Sequence, residues 1–284
     1  MYYIGFDIGG SSIKAVLLKD KKTLKSSVAD LPKNINGLFD LVSKITKKFI
    51  LNLNPKKVGG IGFSIPGPID VKREKVLLGP NIPYLTGQPL LKLLRKRLKS
   101  LNIKIEHDIN CHLLAEVKFG IAKKYQNVFY LALGTGIGAA LLVNGKFIYG
   151  EHGSAGEFGH NIIDFEKGIK LEDVAASKYV HRELRLSFTQ AKEKAEKGDK
   201  KAISVFKLLG KNLGIGLANI INTFNPEVII IGGGLVKAKK LIQPGVKDGV
   251  NKYVISPAAK KTKIIWSKMG RFSGALGAAL LFKR

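Results

Sequence analysis

Two glycine-rich turns, each placed between apolar segments, are the features of this chain best suited to chemistry. They hold Gly9 and Gly10 in the segment 6–18, and Gly134, Gly136 and Gly138 in the segment 131–143. Glycine permits a backbone φ above zero and brings bare N–H groups close to an anion. Two such turns, one in each half of the chain, are suited to holding one polyphosphate from opposite sides. The pattern therefore predicts phosphoryl transfer in a cleft.

The residues around the first turn add donors and charge. Those predicted to contact phosphate oxygens here are Gly9, Gly10, Ser11, Ser12 and Lys14. A carboxylate beside phosphates repels them unless a cation intervenes, so we predict that Asp7 acts through Mg²⁺ or its waters. The alternative for each turn is structural: a tight hairpin with a capping aspartate at the first, and a sheet corner at the second.

Asp108 is the candidate general base. It follows a short predicted strand, 104–106, and opens a predicted helix that reaches about Phe119. An alcohol is a poor nucleophile, and phosphoryl transfer to it needs its proton accepted as the new bond forms. A carboxylate at a strand-to-helix junction is held rigidly enough for that role. The alternative is that Asp108 only caps its helix.

Composition bounds the class of protein. The chain has 284 residues, is 45% hydrophobic and contains one cysteine, Cys111, so it can bury a large core but has no internal disulfide and no multi-cysteine metal site. It has no apolar run of about 18 residues and no signal peptide pattern, which favours a cytoplasmic protein. The net charge of +27 is suited to attracting polyanions, or reflects lysines scattered over solvated faces. No nucleic-acid-binding motif accompanies it.

The repeated glycine-containing hairpin predicts two related α/β halves, and hydrophobic periodicity predicts the strands and helices within them. Predicted strands are 2–8, 13–18, 58–65, 104–106, 128–133, 139–143, 147–149, 228–231 and 264–266. Predicted helices are one with apolar residues from Leu38 to Phe49, then 90–98, 108–119, 171–184, 189–222 with a break near Gly198, and 274–282. We predict a smaller lobe, 1–105, and a larger lobe, 106–271, with a last helix at about 272–284 that returns to the first.

Six ordered motifs resemble those of the ROK family of repressors and sugar kinases. They are Asp7-Ile8-Gly9-Gly10, 64–68 (SIPGP), 106–110 (EHDIN), 133–138 (LGTGIG), 153–160 (GSAGEFGH) and 232–234 (GGG). The resemblance runs from residue 4 to about 280. It implies the actin-like, ribonuclease-H-like ATPase fold, with two α/β lobes around a central cleft.

The resemblance also implies roles for individual residues. Asp108 falls on the family's catalytic aspartate, whereas His107 stands where the usual Glu-Asn-Asp-Ala-Asn pattern has a sugar-binding asparagine. The implied substrate contacts are Ser64, Gly67, Asn81, His107, Asp108, Glu157, His160 and Glu172. The implied nucleotide contacts, beyond the first turn, are Gly134, Thr135, Gly136, Gly138, Gly232, Gly233 and Gly234.

A zinc loop typical of many members has no counterpart here. That loop, Cys-x-Cys-Gly-x-x-Gly-Cys, lies between the counterparts of His160 and Glu172, but 161–171 contains no cysteine. Structural zinc of this type needs thiolates or several histidines. We therefore predict a shorter connection without structural zinc.

The resemblance implies an ATP- and Mg²⁺-dependent kinase of a hexose, with glucose phosphorylated at its 6-hydroxyl as the first hypothesis. A polyphosphate-dependent glucokinase and an N-acetylhexosamine kinase are the alternatives within the same chemistry. A sugar-responsive repressor is a non-enzymatic alternative; such members carry an N-terminal DNA-reading module, whereas Asp7 lies at the start of this sequence. We expect a homodimer, with no specific nucleic acid or membrane partner.

Overall fold

A computed structural model describes residues 1–99 and 101–282 of the chain. Contacts divide it into two compact units. The first contains the described residues of 1–124, together with 149–155 and 269–282, and the second contains 125–148 and 156–268. The first unit therefore continues to Lys124 rather than ending near residue 105.

Each unit begins with consecutive strands and continues with helices and further strands. The strands are β1 (Tyr2–Ile8), β2 (Ser12–Lys19), β3 (Lys22–Asp30), β4 (Val58–Ile65), β5 (Ile103–His107), β6 (Val128–Leu133), β7 (Ile137–Val143), β8 (Lys146–Ile148), β9 (Ile162–Asp164), β10 (Ile169–Lys170), β11 (Val228–Gly232) and β12 (Lys263–Trp266). The α-helices are α1 (Ile35–Ile50), α2 (Leu90–Arg97), α3 (Asp108–Lys118), α4 (Leu171–Ala175), α5 (Ser177–Leu184), α6 (Phe188–Glu196), α7 (Lys200–Phe224), α8 (Lys239–Tyr253) and α9 (Ser273–Ala279). Short 3-10 turns lie at Pro55–Lys57, Pro83–Leu85, Ile121–Lys124, Phe158–His160, Gly234–Ala238, Ala259–Lys261 and Leu280–Phe282.

The main sheets of the two units have the same topology. Their strand orders are β3-β2-β1-β4-β5 and β12-β11-β6-β7-β8. In each, three consecutive strands pair antiparallel, and two later strands add in parallel beside the first of the three. A glycine-rich turn joins the first two strands of each sheet. Both glycine turns thus occupy the same topological place, one in each unit.

The chain from 106 to 124 belongs to the first unit because α3 packs on α9. A Cβ on Gly277 of α9 would collide with the Cys111 carbonyl of α3, so the two backbones touch there. Gly5 in β1 and Gly62 in β4 let α9 approach the sheet equally closely. The C-terminal helix predicted at 272–284 is α9 followed by the 3-10 turn; residues 283 and 284 lie outside the described residues.

The second unit has a core of apolar residues from its sheet and from α7. The helix predicted over 171–184 is interrupted at Ala176, whose backbone is extended at φ −120° and ψ 176°. The reason is a tertiary hydrogen bond: the Ser177 N–H donates to the Gly134 carbonyl at 3.0 Å. The interruption thus attaches the start of α5 to the second glycine turn.

The connection predicted to replace the zinc loop is a β-hairpin. Strands β9 and β10 pair antiparallel, and the Lys167 N–H donates to the Asp164 side chain at 3.0 Å in the turn between them. Gly168, with φ 62°, completes that turn. Among the residues that the structure describes, no helix is long and apolar enough to cross a membrane.

Candidate active site

Strand register brings the predicted site residues of the first unit to one edge of its sheet. Asp7 of β1 pairs with Ser64 of β4, and Ile65 of β4 pairs with His107 of β5. These three strands are parallel, so their carboxyl ends lie at the same edge, where α/β sheets commonly bind ligands. Asp108 follows β5 directly and belongs to that edge.

Asp7 is a buried carboxylate with a fixed orientation. It is 6% exposed, accepts a hydrogen bond at Oδ1 from the Ser64 hydroxyl at 2.8 Å, and has Lys14 Nζ 3.4 Å from Oδ2. A Cβ on Gly274 of α9 would lie 2.6 Å from the carboxyl carbon, so the helix backbone also confines it. Ser64 is fully buried, and its hydrogen bond orients the Asp7 carboxylate; its predicted place in the sugar site stays a prediction.

The donors at this edge fit a magnesium ion held with substrate. Mg²⁺ is usually bound through one or two carboxylates together with waters and substrate phosphates. Asp7 supplies one hard, negatively charged oxygen ligand of that kind beside the first turn. Within the described ranges, no group of three or more His, Cys, Asp or Glu side chains is arranged to hold a metal. The predicted lack of a structural zinc stays a prediction.

The first glycine turn lies against Asn81. The Gly9 N–H donates to the Ser12 carbonyl at 2.9 Å, which closes the turn. A Cβ on Gly10 would lie only 2.8 Å from the Asn81 Cβ. Gly67, with φ 87°, makes a similar close approach to Pro80, so the predicted phosphate turn and part of the predicted sugar site are neighbours in this unit.

One part of the predicted reason for glycine in both turns, a backbone φ above zero, is wrong. The glycines with positive φ do not include Gly9, Gly10, Gly134, Gly136 or Gly138. At Gly10 and Gly136 the requirement is instead close approach: Asn81 occupies the space beside one, and the Glu172 carboxylate occupies the space beside the other.

Asp108 is the first helical residue of α3, and His107 rather than Asp108 is its N-cap. The Ile109 N–H donates to Asp108 Oδ1 at 2.8 Å, and His107 Nε2 lies 3.2 Å from the same oxygen. The Asp108 side chain keeps 25% of its surface exposed. A carboxylate that is oriented by such contacts and partly open to solvent is suited to accepting a proton from a bound substrate.

The second glycine turn is surrounded by charge. The Gly134 N–H donates to the Gly136 carbonyl at 3.0 Å, as Gly9 does within its own turn. Glu172 Oε2 accepts from the Ile137 N–H at 3.2 Å, and Glu172 Oε1 pairs with Lys178 Nζ at 2.7 Å. Lys178 also pairs with Asp173 at 2.8 Å. Burial opposes the charge on Lys178, but hydrogen bonds to Asp173 and Glu172 outweigh it and raise the pKa of Lys178.

The predicted adenosine segment borders the same turn. Gly233 follows β11 with φ 86°, and a Cβ there would lie 2.6 Å from the Leu133 backbone nitrogen, at the end of β6. Gly134 and Gly234 differ from the other glycines of the site. Neither has a positive φ, and a Cβ on either would meet nothing within 4 Å. The protein itself does not explain glycine at these two positions, whereas a ligand lying on the backbone would.

Thr135 and Gly138 complete the second turn. Thr135 is exposed between the glycines, and Gly138 pairs with Ala132 across the hairpin of β6 and β7. The turn is therefore open to solvent at its tip and held by the sheet at its base.

The loop that carries Glu157 and His160 packs along the start of β7. The Ala139 N–H of β7 donates to the Gly156 carbonyl at 3.2 Å, and Phe158 packs edge-on against Phe129 at 5.6 Å. This core contact leaves the flanking polar side chains exposed, with Glu157 Oε2 3.9 Å from His160 Nε2. Lys170 Nζ lies 3.2 Å from the other ring nitrogen of His160. Glu172, against Ile137, is at the same end of β7.

Sequence reasoning missed several polar residues around these sites. They are Arg73, Glu106, Tyr149 and Lys178. Glu106 belongs to the motif 106–110 but received no role, and the structure gives it several hydrogen-bond donors. Arg73 and Tyr149 carry no local signal, because the tertiary fold alone brings them to Glu106.

Comparison with known proteins agrees with the resemblance that the sequence motifs indicate. The ROK family model matches residues 3–284. The chain is 31% identical to an N-acetyl-D-glucosamine kinase of Vibrio atlanticus, covering 99% of both chains, and 28% identical to a glucokinase of Thermotoga maritima, covering 99% of this chain and 96% of that one. It is also 27% identical to the xylose repressor of Bacillus subtilis, covering 97% of this chain and 75% of that one.

The solved structures extend the comparison to the fold. A ROK family glucokinase from Streptomyces griseus, in complex with glucose and AMPPNP, superimposes with a TM-score of 0.85 at 24% identity and covers 99% of both chains. The two duplicated sheets of this chain are therefore those of an actin-like ATPase fold.

Proposed function

Because the chain belongs to the ROK family, we propose that it is a sugar kinase that transfers the terminal phosphoryl group of ATP to a hexose, with the 6-hydroxyl of glucose as the first candidate acceptor. The observation that carries the proposal is the place of Asp108. The Ile109 N–H and His107 hold its Oδ1, at the sheet edge that also carries Asp7. Regulatory relatives share the family, so the choice between a kinase and a sugar-responsive regulator depends on this site.

The proposed reaction assigns one chemical role to Asp108. The sugar oxygen forms a bond to the terminal phosphorus as the bond from that phosphorus to the bridging oxygen breaks, and the bridging oxygen leaves on ADP with the electron pair. Asp108 accepts the proton of the sugar hydroxyl. Its hydrogen bond from Ile109 orients the carboxylate before transfer.

The other residues of the proposal bind and orient. The glycine turns at 9–10 and 134–138 present backbone to the phosphates. The segment of Gly232, Gly233 and Gly234 contacts the nucleoside, and within it Gly234 has open space beside its Cα. Asp7 would hold Mg²⁺, which neutralises phosphate charge when bound. The proposed sugar contacts are Asn81, His107, Glu157, His160 and Glu172. Of these, Glu172 is already bonded to the Ile137 N–H, which couples sugar binding to the second turn.

A sugar panel tests the proposal directly. ADP release is measured with Mg·ATP and, in turn, glucose, mannose, fructose, allose, N-acetylglucosamine and N-acetylmannosamine, with no sugar as the control for ATP hydrolysis. We expect one hexose to give turnover well above that control. Sugar binding by calorimetry without turnover of any sugar would instead favour the regulator.

Two alternatives within the kinase proposal, one in the sugar and one in the phosphoryl donor, have specific support. Identity of 31% to an N-acetyl-D-glucosamine kinase favours an N-acetylated hexose, which the panel contains. The net charge of +27 favours a polyanionic donor, so the panel is repeated with polyphosphate in place of ATP. The donor with the higher kcat/KM is then the physiological class.

A further inference from the structure

A buried carboxylate that the proposed reaction does not use lies two residues before the proposed base. Glu106, at 2% exposure, accepts at Oε1 from the His107 backbone N–H at 3.0 Å and from the Asn110 side-chain amide at 3.1 Å. Both donors belong to the junction of β5 and α3. Glu106 therefore holds the backbone that presents Asp108.

The same carboxylate contacts two residues that are distant in sequence. The Tyr149 hydroxyl donates to Glu106 Oε2 at 3.1 Å, and Arg73 Nε lies 3.4 Å from Oε1. The Arg73 guanidinium carbon also lies 4.1 Å from the centroid of the Tyr149 ring, a cation–π contact. Each of the three side chains thus contacts the other two, and Arg73 compensates the buried charge of Glu106.

Arg73 is held in an unusual conformation to make these contacts. Its φ is 58°, in the left-handed region that residues other than glycine seldom occupy. Its Nη1 lies 3.4 Å from the carbonyl oxygens of Ile69 and Asp70. Such backbone conformations persist when the surrounding contacts outweigh their strain, and they concentrate at functional sites.

Tyr149 begins a segment with a particular place in the chain. Residues 149–155, here called the strap, group with the first unit, although the chain on both sides of the strap belongs to the second. A Cβ on Gly153 of the strap would lie 2.8 Å from the Ile69 carbonyl oxygen, so the strap packs tightly on the loop that carries Arg73. The strap leads directly into Gly156 and Glu157.

We propose that Glu106, Arg73 and Tyr149 form an anchor that positions Asp108 and fixes the strap to the junction of β5 and α3. The inference rests on the proposed kinase function, and within it Glu106 takes no proton from substrate. Within the first unit, the anchor holds both the junction that presents the base and the strap. Loss of the anchor therefore lowers turnover through geometry, since a displacement of about 1 Å can cost about 10²-fold in rate.

The first test removes one hydroxyl. Tyr149→Phe keeps the ring over Arg73 and loses the hydrogen bond to Glu106. We expect kcat to fall on the order of tenfold, with the KM for ATP unchanged, because the contacts of Glu106 described above involve neither glycine turn. Tyr84→Phe is the matched control: it removes a hydroxyl that donates to the Pro32 carbonyl at 2.9 Å within the same unit. Its kcat should equal that of the unmodified protein.

The second test separates charge from shape. Arg73→Gln removes the cation beside the buried Glu106 carboxylate, and Glu106→Gln removes the anion beside the partly buried Arg73 guanidinium. The double variant removes both charges. We expect the double variant to have a higher kcat and a higher unfolding midpoint than either single variant, a coupling that independent sites lack. Arg97→Gln, which removes an exposed pair with Asp40, controls for loss of an arginine.

Hydrogen exchange tests the anchor without any measurement of catalysis. The Ile109 N–H donates to Asp108, so its hydrogen exchange reports the state of the junction. Tyr149→Phe should speed exchange of the amides from 107 to 110, and Tyr84→Phe should not. If the unmodified protein phosphorylates a sugar and Tyr149→Phe keeps full kcat, the anchor is refuted. If no sugar is phosphorylated, the proposed function fails, and unchanged exchange in Tyr149→Phe refutes the anchor independently.

Discussion

Asp108 is both the first residue of helix α3 and the residue that we propose as the general base. Its Oδ1 is occupied by the Ile109 N–H and by His107 Nε2, and its side chain keeps part of its surface open. These contacts fix the direction of the carboxylate before any substrate arrives, which lowers the entropic cost of reaching a reactive geometry.

The first prediction concerns Asp108 itself. Asp108→Asn keeps the size of the side chain and the hydrogen bond from Ile109 but cannot accept the sugar proton. We expect kcat to fall about 10²-fold or more, with a modest change in sugar KM, measured by coupled ADP release. Asp40→Asn, which alters an exposed carboxylate paired with Arg97, is the control and should keep full activity. Near-normal turnover of Asp108→Asn would show that Asp108 is not the general base.

The second prediction uses the unexplained glycine of the second turn. Gly134→Ala adds a methyl group where the protein leaves space and where φ is compatible with alanine. We expect an unchanged or slightly higher unfolding temperature. If the phosphates lie on this backbone, the KM for ATP should rise about tenfold or more, equivalent to about 1.4 kcal/mol of binding free energy.

Gly233→Ala is the contrasting variant for that measurement. Gly233 has φ 86° and lies against the Leu133 backbone, so alanine there is strained and the unfolding temperature should fall. An unchanged KM for ATP in Gly134→Ala, with stability also unchanged, would mean that no ligand lies on the second turn.

Individual residues divide into those that sequence can locate and those that it cannot. The glycine turns and Asp108 were located because their signals are local, and the structure keeps each turn between its two predicted strands. The contacts of these residues were not predictable. The hydrogen bond from Ser64 to Asp7 and the contact of Asn81 with Gly10 depend on strand register and loop packing across many residues.

At the scale of elements, helices α7 and α8 pack through facing glycines. A Cβ on Gly214 would lie 3.0 Å from the Gly249 Cα, and Gly210 and Gly245 make the corresponding contact one turn away. Glycine lowers helix propensity by about 1 kcal/mol relative to alanine, so its use here is explained by backbone contact rather than by helix formation.

The third prediction tests that packing. Gly249→Ala places a methyl group 2.7 Å from the Lys211 carbonyl oxygen and 2.8 Å from the Gly214 Cα, which are backbone atoms that cannot rotate away. Overpacking of about 1–3 kcal/mol then exceeds the gain in helix propensity. We expect a lower unfolding midpoint in urea.

Ser204→Ala, on the exposed face of α7, is the control for propensity alone and should not lower that midpoint. An equal or higher midpoint for Gly249→Ala would show that the backbones of α7 and α8 can move apart to admit the methyl group without loss of stability.

The predicted elements fail where tertiary packing overrides local pattern. Strand β3 was not predicted, because as an edge strand it is mostly exposed and its residues, KTLKSSVAD, lack an apolar face. Helix α8 was not predicted either. It contains Pro244, and its Gly245 and Gly249 argue against a helix until α7 is present to contact them. Buried strands such as β4 and β6, with continuous apolar residues, were predicted with their observed bounds.

At the scale of the whole molecule, the same sheet topology carries different chemical groups in the two units. The first unit carries two carboxylates, Asp7 and Asp108, at the edge of its sheet where its parallel strands end. In the second unit, the equivalent turn has the Glu172 carboxylate beside Gly136 and open space at Gly134, and Gly234 after β11 has open space as well. The duplicated sheet therefore places the proposed acid–base and metal groups in one unit and the proposed nucleoside contacts in the other, a division that the sequence repeat alone did not reveal.

The net charge of +27 is a property of the whole chain, and ionic strength tests whether it acts on the donor. The Debye length shortens from about 30 Å at 0.01 M salt to about 8 Å at 0.15 M, so added salt screens a long-range attraction for a polyanion but not the binding of a neutral hexose. We expect the KM for ATP to rise several-fold between these conditions, the KM for polyphosphate to rise more steeply, and the KM for sugar to stay constant.

The sugar KM is the internal control for that experiment, because any loss of folding or of Asp108 function at higher salt would alter it as well. Equal salt dependence of the donor and sugar KM values, or none in either, would assign the lysines to solvated faces without a role in recruiting the donor. A donor-specific dependence would instead make the surface field part of the mechanism, since it raises the local concentration of phosphate anions before either glycine turn contacts them.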